Sequence, residues 1–141
     1  MSWDIFVQDL PRDVKGVADI PEDFVPQPIG SRSRVIDAIR AAAPFAKFSN
    51  DTLAQLDAPN ISIEITIGAN DPLRGFAFHV YGGDRSAGVV ADILSRLQLR
   101  ALDPLSQSGI FDSSQASGSL QRWQAYRRSV LEQQDTRQST W

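Results

Sequence analysis

The chain has 141 residues, of which 42% are hydrophobic and 22% charged, values typical of one globular domain with a hydrophobic core. It contains no cysteine and one histidine, which excludes disulfides, thiolate catalysis and zinc sites that need cysteine or several histidines. The net charge of −3 argues against nucleic acid as the main partner, because neutralisation of phosphates dominates that affinity.

The hydropathy of the chain and its first residues predict a cytoplasmic protein. No segment approaches the roughly 18 consecutive apolar residues of a membrane helix, so we expect no membrane partner. The first ten residues include Asp4 and Asp9 and lack the basic segment of a signal peptide. No EF-hand, phosphate-binding-loop or dinucleotide-binding motif occurs, and we therefore predict no cofactor and no metal. A carboxylate site for magnesium or calcium is the alternative that the sequence leaves open.

The first half of the chain contains one predicted strand and one predicted helix. Alternation of apolar and polar residues over Trp3–Gln8 predicts the strand. A long, proline-containing connection follows as far as Gly30. The spacing of apolar residues over Val35–Ala43 then predicts an amphipathic helix, which Pro44 ends. Residues Asn50–Asn60 are polar, and we expect turns there with at most one short helical turn.

The strongest pattern is a pair of alternating segments followed by a helix. Ile61–Ile67 and Phe76–Tyr81 both alternate in polarity, which predicts a β-hairpin. Gly82-Gly83 interrupts the second strand, and apolar residues at helical spacing over 89–97 predict a second helix. A last short strand is predicted over Arg100–Asp103.

These elements follow the order β-α-β-β-α-β. This order predicts a ferredoxin-like α+β sandwich, in which a four-stranded antiparallel sheet carries two helices on one face. A different α+β sheet with an extra C-terminal strand is the alternative. We expect the helices to cover the isoleucine-rich face and to leave the other face open. We predict a single domain over residues 1–112, a linker over 113–119, an appended amphipathic helix over 120–133 and a frayed tail over 134–141.

The appended helix has a narrow apolar edge that includes Leu120, Trp123 and Val130. Because a single amphipathic helix must bury its apolar stripe, this helix is expected either to cover the domain or to contact another chain. For contact with another chain, the candidate interaction residues are Trp123, Tyr126 and Arg127.

Side chains alternate between the two faces of the predicted hairpin, and this parity limits its register. Ile65 and Phe78 must both face the core, and a turn over residues 68–75 then places Glu64 directly opposite His79 on the outer face. A slip of two residues would make this pair diagonal neighbours, which long side chains still bridge. The two side chains are therefore predicted to lie side by side.

A carboxylate beside an imidazole is a minimal general acid–base unit, since the carboxylate orients the ring. The alternative is a structural cross-strand pair, which stabilises a hairpin by roughly a few tenths of a kcal/mol. The candidate catalytic residues are accordingly His79 and Glu64, with Tyr81 on the same face as a lining residue.

Short motifs from the hairpin onward resemble a family of small uncharacterised bacterial α+β proteins. The shared pattern is a Ser-Ile-Glu strand, an Asp-Pro turn, a strand with His-Val and Gly-Gly, a helix and an Ala-Leu-Asp strand. The resemblance implies a self-contained α+β domain and no particular activity. The matching residues are Ser62–Glu64, Asp71-Pro72, His79-Val80, Gly82-Gly83, Ala101–Asp103 and Gly109.

Two classes of function fit these features. The first is a non-enzymatic protein-interaction module that binds another protein, or a second copy, through the open sheet face or the appended helix; an immunity-like or antitoxin-like protein is one version, by analogy of size and charge. The second is a small-ligand binder or an enzyme of the hydrolase or isomerase type, with His79 as acid–base and Glu64 orienting it. Nucleic-acid binding is weakest, because the outer face offers Phe6 and Tyr81 without basic residues beside them.

Overall fold

Six antiparallel strands form a single sheet in the computed structural model, which describes residues 2–139. The strands follow one another across the sheet in the order β2-β3-β4-β5-β1-β6. The first strand of the chain therefore lies between β5 and β6. The strands are β1 (Trp3–Gln8), β2 (Lys47–Ser49), β3 (Leu53–Ala58), β4 (Ile61–Thr66), β5 (Gly75–Gly82) and β6 (Ala101–Leu102).

Three α-helices and a short 3₁₀ helix complete the secondary structure. The first α-helix begins after Ser31, whose Oγ accepts a hydrogen bond from the backbone N of Arg34 at 3.2 Å and so caps the helix. Among the residues that the structure describes, no helix combines the length and apolar character needed to cross a membrane. The helices are α1 (Arg32–Ala42), α2 (Ser86–Leu97), α3 (Ala116–Ser139) and the 3₁₀ helix Val17–Asp19.

One face of the sheet and all three α-helices share a single hydrophobic core. Burial alternates along β4, where Ile61, Ile63 and Ile65 are buried and the residues between them are not, because successive side chains of a strand point to opposite faces. Full burial of side chains of this size contributes roughly 1.5–3 kcal/mol each. The helices therefore pack against the isoleucine-rich face, as expected. The largest fully buried side chains are those of Trp3, Phe78, Ile5, Ile39, Leu56, Ile63, Ile65, Leu73 and Ile93.

The α+β class is confirmed, but the sheet has six strands rather than the predicted four. The additional strand β3 lies within residues 50–60, for which turns are predicted, and the additional strand β2 lies just before them. Ala54 and Leu56 of β3 are fully buried, and β3 pairs with β4 along its whole length. Alanine and aspartate are depleted in strands, so the local sequence of β3 gave little indication of a strand that pairing with β4 stabilises.

The register predicted for the β4–β5 hairpin agrees with the structure. Glu64 is the backbone partner of His79, and Ile65 is that of Phe78. An irregularity next to Ser62 shifts the pairing beyond this point. The predicted parity therefore holds over the part of the hairpin that carries the candidate site.

Helix α3 begins earlier than predicted, at Ala116, so that the second half of the predicted linker is helical. Ala116 and Ser119 are 3% and 1% exposed, since small side chains let the helix approach the core closely. The tail predicted to fray over 134–141 overlaps the end of α3, and residues 140 and 141 lie outside the described residues.

Candidate functional site

The face of the sheet opposite the helices carries the candidate catalytic residues, and we call it the open face. Two aromatic side chains on it are well exposed, Phe6 at 43% and Tyr81 at 41%. His79 and Glu64 are half-buried between other side chains of the same face. The open face consists of the outward-facing residues of β1–β5, which are Asp4, Phe6, Gln8, Lys47, Ser49, Leu53, Gln55, Asp57, Ser62, Glu64, Thr66, Ala77, His79 and Tyr81.

A chain of hydrogen bonds across three strands fixes the imidazole of His79. Its Nδ1 lies 2.8 Å from Asp4 Oδ1, and its Nε2 lies 3.0 Å from Thr66 Oγ1. Asp4 is the backbone partner of His79 on β1, whereas Thr66 is a diagonal neighbour on β4. In the neutral ring, Nδ1–H donates to the carboxylate and Nε2 accepts from the hydroxyl. Both ring nitrogens are thus engaged, and the ring is held in one orientation.

The predicted side-chain contact between Glu64 and His79 is not among the hydrogen bonds of residues 2–139. The two residues are backbone partners, as predicted, but the imidazole nitrogens are taken by Asp4 and Thr66. The carboxylate that orients the ring therefore comes from β1 rather than from the hairpin itself. Asp4 takes the orienting position that the sequence assigned to Glu64.

Only part of this arrangement had a signal in the sequence. The alternation of β1 places Asp4 on the same face as Phe6, so its side was predictable. The register of β1 against β5 was not, because no short turn joins these strands and a pairing between distant segments is fixed only by the complete fold. Thr66 shares the parity of Glu64 and was available as a diagonal partner of His79.

The charges of the open face are predominantly acidic. Asp4, Asp57 and Glu64 contribute carboxylates, and Lys47 at the sheet edge contributes the only amino group among the outward residues of β1–β5. Asp4 and Glu64 are the partners of His79 on the two neighbouring strands, so two strand spacings, about 10 Å, separate them at the backbone. The outward residues of the strands favour cationic over anionic partners, while Arg127 reaches the backbone oxygen of Tyr81 and Arg74 lines the cavity beside Phe6.

The three candidate interaction residues of α3 lie in different environments. Trp123 is 4% exposed and belongs to the core, so this indole covers the domain instead of facing solvent. Tyr126 is 61% exposed. Arg127 is also exposed, and its Nη1 donates to the backbone oxygen of Tyr81 at 2.9 Å while its Cζ lies 5.5 Å from the centre of the Trp123 ring. The stripe predicted from sequence is therefore buried only at its N-terminal end.

The open face offers acid–base chemistry without an obvious metal site. No group of three His, Asp or Glu side chains is placed to hold a metal ion within the described part of the chain. The side chains of His79 and Asp4 remain 24% and 40% exposed, so they are accessible to solvent and to a ligand that binds on this face. The hydrogen-bonded side chains of Asp4, His79 and Thr66 also join β1, β5 and β4, which is a structural role.

A comparison of the chain with protein-family models, with curated proteins and with solved structures gave no significant match. The resemblance to a family of small bacterial proteins accordingly stays a prediction.

Proposed function

We propose that this chain is a protein-interaction domain that binds a basic partner protein through its open face. The observation that carries the proposal is the pairing of two exposed aromatic side chains, Phe6 and Tyr81, with a predominantly acidic surface on the side away from the helices. Aromatic residues are enriched at the centres of protein interfaces, because they bury a large area at low entropic cost. Complementary charge on the partner would guide its approach.

The dimensions of the open face suit one partner domain. Four spacings between the five strands of the open face and six residues along a strand give a face about 19 Å wide and 20 Å long. Specific interfaces bury about 800 Å² on each partner, so a partner would cover most of the face. The hydrogen bonds that hold His79 in place reduce the side-chain freedom lost on binding.

One concrete version is an immunity-type protein that neutralises a basic toxin or effector. Its support is the small size of the chain and its net charge of −3. These properties are shared with immunity-type proteins as a class and do not point to a particular residue. Co-expression with a captured basic partner tests this version directly, because an immunity protein restores growth that the partner alone prevents.

The test is capture of a basic partner from a lysate of the source organism, followed by measurement of its affinity for defined variants. The double variant Phe6→Ser, Tyr81→Ser is expected to weaken binding at least about tenfold, which corresponds to about 1.4 kcal/mol. Tyr126→Ala is the matched control, since this aromatic is exposed on α3 and is not one of the outward residues of the strands. Binding should also weaken as salt increases.

Two results would overturn the proposal. If the double variant bound the partner as tightly as the wild type, the open face would not be the interface. If the protein formed a dimer that the same double variant dissociated, a second copy and not a basic partner would occupy the face.

A second candidate function is acid–base catalysis of the hydrolase type, and it is favoured by the chain Asp4–His79–Thr66. With His79 Nε2 at 3.0 Å from Thr66 Oγ1, the ring is placed to take a proton from the hydroxyl while Asp4 orients it. A cavity of about 480 Å³ adjoins Thr66 and includes Arg74 in its lining, which would suit an anionic ester.

This second candidate is tested with a panel of chromogenic carboxylic esters. Activity in the wild type that is lost in both Thr66→Val and His79→Gln, and retained in Glu64→Gln, would support it. If esterase activity survives Thr66→Val, or if the wild type hydrolyses no ester of the panel, catalysis is contradicted and the hydrogen-bond chain has a structural role.

We further propose that β1-α1-β4-β5-α2-β6 forms a ferredoxin-like unit, extended by β2 and β3. Its support is the adjacent antiparallel order β4-β5-β1-β6 and the contribution of α1 and α2 to one core.

A further inference from the structure

A small cavity opens where β1 extends beyond β6. β6 pairs with β1 only at Phe6 and Val7, so the first residues of β1 have no neighbouring strand on that side. The cavity at this edge has a volume of about 240 Å³, and Trp3, Asp4, Phe6, Leu105 and Trp123 are among the residues that line it. It adjoins the open face, because Asp4 and Phe6 belong to both.

The walls of this cavity are held in place by the core. Trp3 is 1% exposed, and its indole Nε1 donates to Asp103 Oδ1 at 2.8 Å. Trp123 is 4% exposed and packs in the same core. Phe6 forms the exposed rim. Phe6 is therefore the well-exposed ring of the cavity, and the two buried indoles form walls that the core holds in place before any ligand binds, which limits the conformational entropy lost on binding.

A carboxylate oxygen at the rim is available to a ligand. Both hydrogen bonds that Asp4 accepts end on Oδ1, one from Ser2 Oγ and one from His79 Nδ1. Asp4 Oδ2 accepts no hydrogen bond from the residues that the structure describes. An ionised carboxylate has about four acceptor positions, and the Asp4 side chain is 40% exposed. Oδ2 can therefore accept from an incoming donor.

Aromatic rings around a free carboxylate oxygen form an environment for an organic cation. The faces of indole and phenyl rings attract cations with about 0.5–2 kcal/mol. A guanidinium fits better than an ammonium group, because it is planar, stacks on rings and is more weakly hydrated. The volume of about 240 Å³ lies below the range of roughly 300–1,000 Å³ usual for pockets of drug-sized ligands. One side chain suits it better than a larger molecule.

We infer that this cavity is the anchor site for an arginine side chain of the basic partner. The guanidinium donates to Asp4 Oδ2, and its plane packs on the exposed ring of Phe6, with the buried indoles of Trp3 and Trp123 as the walls of the cavity. This inference rests on the proposed function, since it names the residue of the partner that the edge of the open face recognises. Arginine is among the residues that dominate binding energy at interfaces.

The cavity itself can be tested without the partner. N-acetyl-arginine methylamide is titrated into the ¹⁵N-labelled protein, and the indole N–H signals of Trp3 and Trp123 report on the cavity walls. We expect saturable shifts of both signals at millimolar probe and at least threefold weaker binding of N-acetyl-lysine methylamide. Equal shifts with the lysine probe, or none with the arginine probe, would overturn the assignment.

Matched variants test the two parts of the cavity separately. Asp4→Asn should weaken binding of the arginine probe at least fivefold, whereas Asp37→Asn removes an exposed carboxylate of α1 and should leave binding unchanged. Phe6→Leu keeps an apolar side chain at an exposed position but removes the ring, and it should weaken binding of the arginine probe about threefold. It provides a second test that does not disturb the Asp4–His79 hydrogen bond. Unchanged binding in both Asp4→Asn and Phe6→Leu would overturn the inference.

The partner separates this inference from the proposed function. If Tyr81→Ser weakens partner binding while Asp4→Asn does not, the open face is the interface and the anchor site is wrong. If the arginine probe binds in the cavity but Tyr81→Ser has no effect on the partner, the proposed interface is wrong and the cavity still recognises guanidinium. Loss of partner binding in Asp4→Asn, together with loss in a partner variant whose anchoring arginine is changed to lysine, supports both.

Discussion

His79 Nδ1 and Asp4 Oδ1 lie 2.8 Å apart although 75 residues separate them in the chain. The contact connects the first strand to the second strand of the hairpin across the middle of the sheet. The predicted partner Glu64 sits on the opposite side of β5, where it is a backbone neighbour of His79 without taking either ring nitrogen. We therefore expect the carboxylates of Asp4 and Glu64 to contribute differently to stability.

A double-mutant cycle between Asp4 and His79 should give a coupling free energy of about 0.5 kcal/mol, the lower end of the usual net contribution of a hydrogen bond. The same cycle between Glu64 and His79 should give a coupling near zero. Both cycles use alanine variants and urea unfolding near neutral pH. A larger coupling for Glu64 than for Asp4 would contradict the hydrogen-bond pattern.

The burial of Trp123 predicts that α3 is part of the folded domain. Trp123→Ala should lower the free energy of unfolding by about 3 kcal/mol, because it removes a large core side chain and leaves a cavity. Tyr126→Ala, on the exposed side of the same helix, should change it by less than about 0.5 kcal/mol. Equal effects in thermal or urea unfolding would show that the helix does not dock as described.

The local part of the fold was predictable from sequence, and the non-local part was not. The β4–β5 hairpin obeys a strict alternation with a turn that limits its register, so the pairing of Glu64 with His79 followed from parity. The pairing of Asp4 with His79 depends on how β1 inserts between β5 and β6, for which no short connection gives a register. The contact that orients the histidine was therefore missed.

Weak local preferences explain the remaining differences. β3 has a buried alternation at Ala54 and Leu56, but its alanines and Asp57 are residue types depleted in strands, and its pairing with β2 and β4 stabilises it as a strand. The start of α3 looked like a linker because serine, glycine and alanine predominate there. In the fold Ala116 and Ser119 are buried, since small side chains suit a close contact between a helix and the core.

Gly83 should not tolerate a side chain. Its φ is +92°, and a Cβ added there would meet the backbone of Asn60 and lie 2.8 Å from the Ile61 nitrogen. Gly83→Ala is therefore expected to lower the free energy of unfolding by about 2 kcal/mol or more. The backbone on both sides of the contact limits how far the chain can move to relieve it.

Gly88 is the matched control for Gly83. It lies within α2, and a Cβ added there would meet nothing within 4 Å. Gly88→Ala should raise the free energy of unfolding by about 0.5–1 kcal/mol, because alanine loses less backbone entropy than glycine in a helix. Similar effects of the two substitutions in urea unfolding would contradict the turn geometry at Gly83.

Asp112 gives the chain a stabilising interaction that depends on pH. Ser114 donates to Asp112 Oδ1 twice, from its Oγ at 2.7 Å and from its backbone N at 2.9 Å. These hydrogen bonds, with that from the hydroxyl the larger effect, hold the pKa of Asp112 below its ordinary value of 3.8. Because the carboxylate form is the one that accepts both bonds, folding favours ionisation of this group.

The sign of the pH dependence follows from this lowered pKa. The contribution of Asp112 to stability should be fully present above pH 3.8, its ordinary pKa, and should be lost as the pH falls through the lower pKa of the folded state. In a ¹³C titration of the side-chain carboxyl, Ser114→Ala should raise the pKa of Asp112 toward 3.8. Ser113→Ala, which removes a neighbouring hydroxyl that does not bond to Asp112, should leave the titration midpoint in place. A midpoint that is the same in the wild type and in Ser114→Ala would show that the hydroxyl does not stabilise the carboxylate.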